Sequence, residues 1–252
     1  MITRALDGLV GSSAWVAAVA AALCVAASEA MGIAPRLEVA VLVACGTFAV
    51  YNLDHLRDLE RDRATSPRRS AFVAAHRRPL IALLALALGL AAVLALRLGP
   101  PAVALLAPVA SAGLLHRRLK RFAFWKPFYV AIAWTAVVVG LPALVGPAPR
   151  ALAPVAGVLF TTLVANVIAS NLRDGEAVAA RWGPAMPLRL ARGSAGLAIG
   201  WGLLAPEEVR PITLVPATLL LALVPFRADE RYGLLVVDGA LLVGALAALP
   251  LL

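Results

Sequence analysis

An all-α, polytopic membrane protein is the fold class this sequence predicts, on three observations. First, 62% of the 252 residues are hydrophobic and the mean hydropathy is +0.89, more apolar side chain than a soluble domain of this size needs. Second, the Ala, Leu and Val gather in long uninterrupted runs. The strands of a membrane barrel would alternate instead. Third, Pro and Gly mark the ends of the runs, at Pro35, Pro79, Gly99-Pro100-Pro101, Pro147, Pro149, Pro206 and Pro211.

The runs predict nine spans, at 9–30, 37–53, 79–97, 100–115, 127–146, 151–170, 185–205, 211–226 and 233–252. Two of them are short for a crossing, and Arg189 and Arg192 interrupt the start of the seventh. The run 14–27 follows Arg4 and has the look of a signal peptide, but in so apolar a chain it reads as the first span. There is no linker and no repeat, so residues 1–252 form one integral-membrane domain. Nine spans place loops alternately on two sides, and 19 of the 23 Lys and Arg then fall on one side. The positive-inside rule makes that side cytoplasmic, with the N-terminus on it.

The formal charge is +9, from 23 Lys and Arg against 14 Asp and Glu. Because the basic residues lie in short loops between apolar runs, they suit a bilayer surface and an anionic ligand rather than nucleic acid. Cys24 and Cys45 lie inside apolar runs as small buried side chains, with no disulfide framework.

The most informative stretch is YNLDHLRDLERDR, Tyr51 to Arg63, at the end of the second run. Asp54, Asp58 and Asp62 are four residues apart and fall near one helical stripe. Three acids on one stripe repel one another unless a cation sits among them. A divalent ion carrying a phosphorylated ligand is one solution. Ion pairing with Arg57 and Arg61, each three residues after an acid, is the other. Two more loops fall on the same predicted side: HRRLKRFAFWKP, His116 to Pro127, and SNLRDGEAVAARWG, Ser170 to Gly183. Acids facing a basic loop can hold Mg²⁺, which holds a diphosphate, while Lys or Arg neutralises the remaining charge.

With these residues the chain resembles the UbiA superfamily of intramembrane prenyltransferases. That family has nine transmembrane helices, an NDxxDxxxD motif after the second and a further Asp-rich motif after the sixth. Asp54 stands where the family has Asn and His55 where it has Asp, while Asp58 and Asp62 match. The LKR of Leu119 to Arg121, with the Lys-Pro and Trp134 beyond it, is similar to the family's basic segment. Asn171-Leu172-Arg173-Asp174 resembles the start of the second motif, whose next Asp falls on Val178.

The resemblance implies a nine-helix bundle. It also implies a transferase moving an isoprenoid from its allylic diphosphate to a lipophilic or aromatic acceptor. Mg²⁺ would be held by Asp54, Asp58, Asp62, Asn171 and Asp174, with Asp58 and Asp62 central to catalysis. Lys120, Arg121 and Arg173 would bind the diphosphate, and Tyr51, Asn52 and Asn166 are candidates for the wall around it. An intramembrane terpene cyclase shares the same ionisation. A UbiA-like protein that binds an isoprenoid or phospholipid without turnover is the alternative that Val178 favours. A different membrane motif, DGxxAR of the CDP-alcohol phosphotransferases, fails on spacing: Ala180-Arg181 comes two residues late and no Asp follows Asp174 until Asp229.

The remaining polar residues read more plainly. His55 is expected to be hydrated at the interface, and His76 and His116 to lie on the surface. Phe122, Phe124, Trp125, Phe128 and Tyr129 suit an interfacial belt. Asn166 suits interhelical hydrogen bonding as well as a wall position. Asp238 and Glu29 lie near span ends and receive no role. Arg68, Arg69, Arg77 and Arg78 are expected at lipid headgroups.

Overall fold

A computed structural model describes residues 8–119, 125–175 and 183–252, and every regular element among them is helical. In chain order they are α1 (Ala14–Ala30), α2 (Leu37–Asp62), α3 (Pro67–Ala75), α4 (Arg77–Leu98) and α5 (Pro100–Leu114). A single turn, His116–Leu119, follows. Then come α6 (Lys126–Val145), α7 (Leu152–Arg173), α8 (Ala185–Leu203), α9 (Leu214–Leu223, entered through a 3₁₀ segment Glu207–Thr213) and α10 (Tyr232–Leu251). Two helices widen locally into π turns, α6 at Ala136–Gly140 and α10 at Tyr232–Val237.

Among the described residues, five helices are long and apolar enough to cross a membrane: α2, α4, α6, α7 and α10. Helices α1 and α5 are apolar but shorter, at 17 and 15 residues. Helix α9 has 10 residues. The second run does not stop at residue 53. It continues as one helix to Asp62, about 39 Å at 1.5 Å per residue, so the aspartate stripe is carried on the same rigid rod as the apolar part. The connection after it holds α3, which begins with Pro67 at the first helical position, where the missing N–H costs nothing.

Chain reversals fall where the backbone needs glycine. Gly99, at φ 92°, separates α4 from the Pro100-Pro101 start of α5. Gly175, at φ 64°, ends the polypeptide's run through α7 one residue after Asp174, so this carboxylate is presented at a helix end.

The core lies where α1 and α7 pack among α2, α6, α8, α9 and α10. Alanines are frequent in it, such as Ala20, Ala26, Ala27, Ala165, Ala191 and Ala195, and they let helix backbones approach closely. Leu23, Met31, Leu159 and Leu219 fill the space between them, while other large apolar side chains, among them Leu86, Leu96, Leu204 and Leu221, point outward, as befits surfaces facing lipid. Cys24 and Cys45 are free thiols, the first buried and the second partly so.

Helices α9 and α10 pack closely at Gly244. A Cβ there would stand 2.6 Å from Val215 Cα and 2.8 Å from the Leu214 carbonyl oxygen, and neither backbone atom can yield. Gly244→Ala is therefore expected to cost about 1–3 kcal/mol. The thermal midpoint of the detergent-solubilised protein reads this. An unchanged midpoint would mean that the two helices are not seated against each other here.

Candidate functional site

One cavity of about 840 Å³ opens among α2, α4, α5, α6, α7 and α10. Most of its wall is apolar, from residues such as Leu42, Leu88, Val103, Leu106, Val130, Val138 and Leu234. The polar part gathers at the carboxyl-terminal ends of α2 and α7. Asp54, Arg57, Arg61 and Asp62 come from α2, Arg69 from α3, Lys126 from the start of α6, and Asn171, Arg173 and Asp174 from α7. Residues far apart in sequence thus face one space.

The aspartate stripe divides. Asp54 and Asp62 line the cavity, while Asp58 is 2% exposed and stands outside the lining, behind the wall. His55 is buried rather than hydrated, with Nδ1 3.6 Å from Asp62 Oδ2. The same Asp62 oxygen is 3.8 Å from the Arg69 guanidinium. Arg69 is likewise buried, against the expectation of a headgroup contact, and also donates to Ser66 Oγ at 3.2 Å. Burial, followed by repulsion from Arg173, pulls the Arg69 guanidinium below its ordinary pKa, against the pull of Asp174, Asp62 and Glu230.

Helix α3 is set in place from across the chain. The Glu230 carboxylate accepts hydrogen bonds from the backbone N–H groups of Arg68 (3.1 Å) and Arg69 (2.8 Å), capping the positive end of the helix. Glu230→Ala should remove about 1 kcal/mol of stability, as loss of a helix cap does. Amide hydrogen exchange at Arg68 and Arg69 should speed up, and unchanged protection there would exclude the capping role.

At the end of α7, Arg173 closes a fork on its neighbour. Its Nε donates to Asp174 Oδ1 at 2.8 Å and one Nη to Oδ2 at 3.0 Å, with a further bond to Ser170 Oγ at 2.9 Å. Burial opposes the Asp174 carboxylate, but the Arg173 guanidinium overrides it and holds the group below its ordinary pKa. Arg69 and Lys126 add to that effect. Both oxygens of Asp174 are thus engaged by the chain's own cation. Beside it, Asn171 is buried, and its Oδ1 accepts no hydrogen bond among the described residues.

Deeper along the cavity, Tyr51 packs edge-on against Trp134, centroids 6.2 Å apart at 89°. Asn166 donates through Nδ2 to Asp238 Oδ1 at 3.0 Å, and both line the wall. Asn52, a candidate for the wall, is not in it. It is fully buried, and its Nδ2 donates to the carbonyls of Ser12 and Phe48, tying α2 to the segment before α1. His116 and Tyr129, read as surface and belt, line the cavity and are hydrogen-bonded to each other at 2.9 Å. Trp125 and Phe128 are exposed. Lys120, Arg121, Phe122, Phe124, Glu176, Val178 and Arg181 lie outside the described residues.

Two of the missed wall residues left a faint signal. Lys126 precedes a proline at a helix start, and Asp238 is an acid inside an apolar run, a position that costs free energy and so implies use. Arg69 and His116 left none, being one arginine among many and one loop histidine.

The donor set suits a hard cation. Asp54, Asp62, Asp174 and the unused Asn171 oxygen are all oxygen ligands, the type Mg²⁺ takes. Among the described residues no three His, Cys, Asp or Glu side chains are gathered around one point. Mg²⁺ commonly binds through one or two carboxylates with phosphate and water completing its shell, so a site of this kind would be shared with its ligand.

No protein family's sequence profile, no curated protein and no solved structure matches this chain.

Proposed function

We infer that the protein is a UbiA-type intramembrane transferase, moving an isoprenoid from an allylic diphosphate to a lipophilic or aromatic acceptor with Mg²⁺. In this reading the chain crosses the bilayer nine times, α1, α5, α8 and α9 included. The mouth of the cavity faces the cytoplasm, in line with the 19 to 4 division of Lys and Arg between the two sides.

One observation carries the reading. Acids from α2 and α7 and five basic side chains, Arg57, Arg61, Arg69, Lys126 and Arg173, share one end of a cavity whose other walls are mostly apolar. A diphosphate needs the first part and a prenyl tail needs the second. The volume, about 840 Å³, lies within the range of small-molecule sites.

Asp54, Asp62, Asn171 and Asp174 would hold the metal. When bound, Mg²⁺ supplies positive charge where the leaving diphosphate accumulates negative charge. The chain's own residues do the rest. Arg69, Lys126 and Arg173 neutralise outer phosphate oxygens, and Lys120 and Arg121 are candidates for the same task. The apolar wall holds the tail and excludes water from the carbon that loses its leaving group. Tyr51 and Trp134 present aromatic faces beside that region.

The fork of Arg173 on Asp174 favours a second reading, isoprenoid or phospholipid binding without turnover, because it satisfies Asp174 with no ion present. Purified protein in nanodiscs, given labelled farnesyl or geranylgeranyl diphosphate with Mg²⁺, separates the two. Transfer predicts diphosphate release that a chelator stops. Saturable binding with no release at either chain length would leave only the binding protein.

A further inference from the structure

A second hollow lies on the outer face of the bundle. It is a shallow groove of about 420 Å³ between α9 and α10, with Trp15 from the start of α1 also in its wall. The wall is apolar apart from Trp15 and Thr218, and the Thr218 hydroxyl is spent on the Ala240 carbonyl at 2.7 Å. Leu221, Val236 and Val243 stand exposed along it. The groove starts where α9 ends and α10 begins, and it runs about 10 Å along α10 to Val243. The connection 224–231 therefore lies at one end of it. Both acids of this connection are turned to backbone donors. Asp229 Oδ1 accepts the N–H of Tyr232 at 2.8 Å, and Glu230 caps α3. Its two cations, Arg227 and Arg231, are exposed.

An apolar groove headed by exposed guanidinium groups matches a molecule with an anionic head and a hydrocarbon tail. Trp15 adds a third contact. Its Nε1 is buried and has no hydrogen-bond partner among the described residues, which calls for an explanation. The ring lies over Gly239, where a Cβ would stand 3.2 Å from Cζ2, the ring carbon two bonds from Nε1. The donor edge of the indole thus sits beside the floor of the groove, which Gly239 shares. A small turn of the ring presents the N–H to an ester carbonyl, the acceptor that a phospholipid carries just below its phosphate. Tryptophan is at home at that depth. We propose that the groove holds one acyl chain of an anionic phospholipid drawn from the bilayer. Arg227 and Arg231 take the phosphate, Trp15 takes the ester carbonyl, and Leu221, Val236 and Val243 line the chain. This needs only a membrane setting for the protein and is independent of the transferase reading.

Bromine on a lipid chain quenches a tryptophan that it touches, which gives the test. Protein in phosphatidylcholine nanodiscs is titrated with dibrominated phosphatidylglycerol or dibrominated phosphatidylcholine. The Trp15 signal is wild type minus Trp15→Phe. Phosphatidylglycerol should be favoured by about 25-fold, from about fivefold for each arginine near an anionic head. The double variant Arg227→Gln, Arg231→Gln should level the two lipids at an unchanged thermal midpoint. Native mass spectrometry of the solubilised protein gives a second reading that does not depend on Trp15→Phe. Wild type should retain phosphatidylglycerol over phosphatidylcholine, and the double variant should not. Excess glycerol phosphate, a head without chains, should not displace the lipid; displacement would make this a site for free phosphate and overturn the proposal. Equal quenching by the two lipids in wild type, or a preference that survives the double variant, would overturn it as well. So would a Trp15 that neither lipid quenches, the result expected if a second copy of the chain fills the groove.

Discussion

Asp62→Ala is expected to lower diphosphate release by at least about 10²–10³-fold, the loss typical of removing one preorganised electrostatic group. Of the stripe, Asp62 is the acid best placed for this. It lines the cavity, it stands at the end of α2 nearest the mouth, and it lies between His55 and Arg69. Its removal takes away a proposed metal ligand and frees Arg69 to move, so the effect should appear in the maximal rate rather than in the affinity for a prenyl tail. On the proposed reading such a tail would lie against Leu and Val, which the substitution leaves alone. Asp54→Ala should fall in the same class. A variant with the wild-type rate would remove the metal assignment from α2. A variant that loses rate together with its thermal midpoint would show that Asp62 is structural.

Arg173→Gln is expected to produce the largest loss of stability, about 3 kcal/mol at neutral pH. Removing one partner of a buried pair strands the other, and such losses run to about 3–5 kcal/mol. The lower end applies because about a fifth of the Asp174 side chain, 21%, remains accessible against 5% for Arg173. The pH dependence gives the test its sign. In wild type the folded state holds Asp174 below its ordinary value, so this carboxylate favours folding above the unfolded value of 3.8. That contribution fades as the pH falls through the lower folded value. Without Arg173 the main downward pull is gone while burial remains, so the folded value should rise and acidification should narrow the gap to wild type. The double variant Arg173→Gln, Asp174→Asn should recover much of the loss at neutral pH. If the single variant is as stable as wild type, or worsens relative to it on acidification, the fork is not a structural element.

The sequence and the structure agree most closely where the information is local. Runs of Ala, Leu and Val show where helices lie, because twenty apolar residues in a row leave few other solutions. Asp54, Asp62, Asn171, Arg173 and Asp174 were legible as one site because charge at the end of an apolar run is costly and so conspicuous. What failed depended on rotation or on distant partners. Helical spacing puts Asp58 midway between Asp54 and Asp62 around the axis, so its burial outside the wall comes from packing that spacing does not reveal. Asn52 is one residue from Tyr51, about 100° around the helix, and so faces different packing. Arg69 looks like any loop arginine until α3 forms, and the carboxylate that caps α3 comes from a residue 161 positions later. Asp238 was passed over for lying near the end of a run, although the π turn before it sets which way it faces.

That π turn also predicts how the C-terminal helix should tolerate changes in length. A π turn is an α-helix holding one surplus residue. Deleting a single residue between Leu234 and Val236 should let the turn close as ordinary helix, with the segments on either side still in their old grooves. Deleting one between Ala240 and Leu242, where there is no surplus, should swing everything downstream by about 100° and pull Gly244 out of its seat against α9.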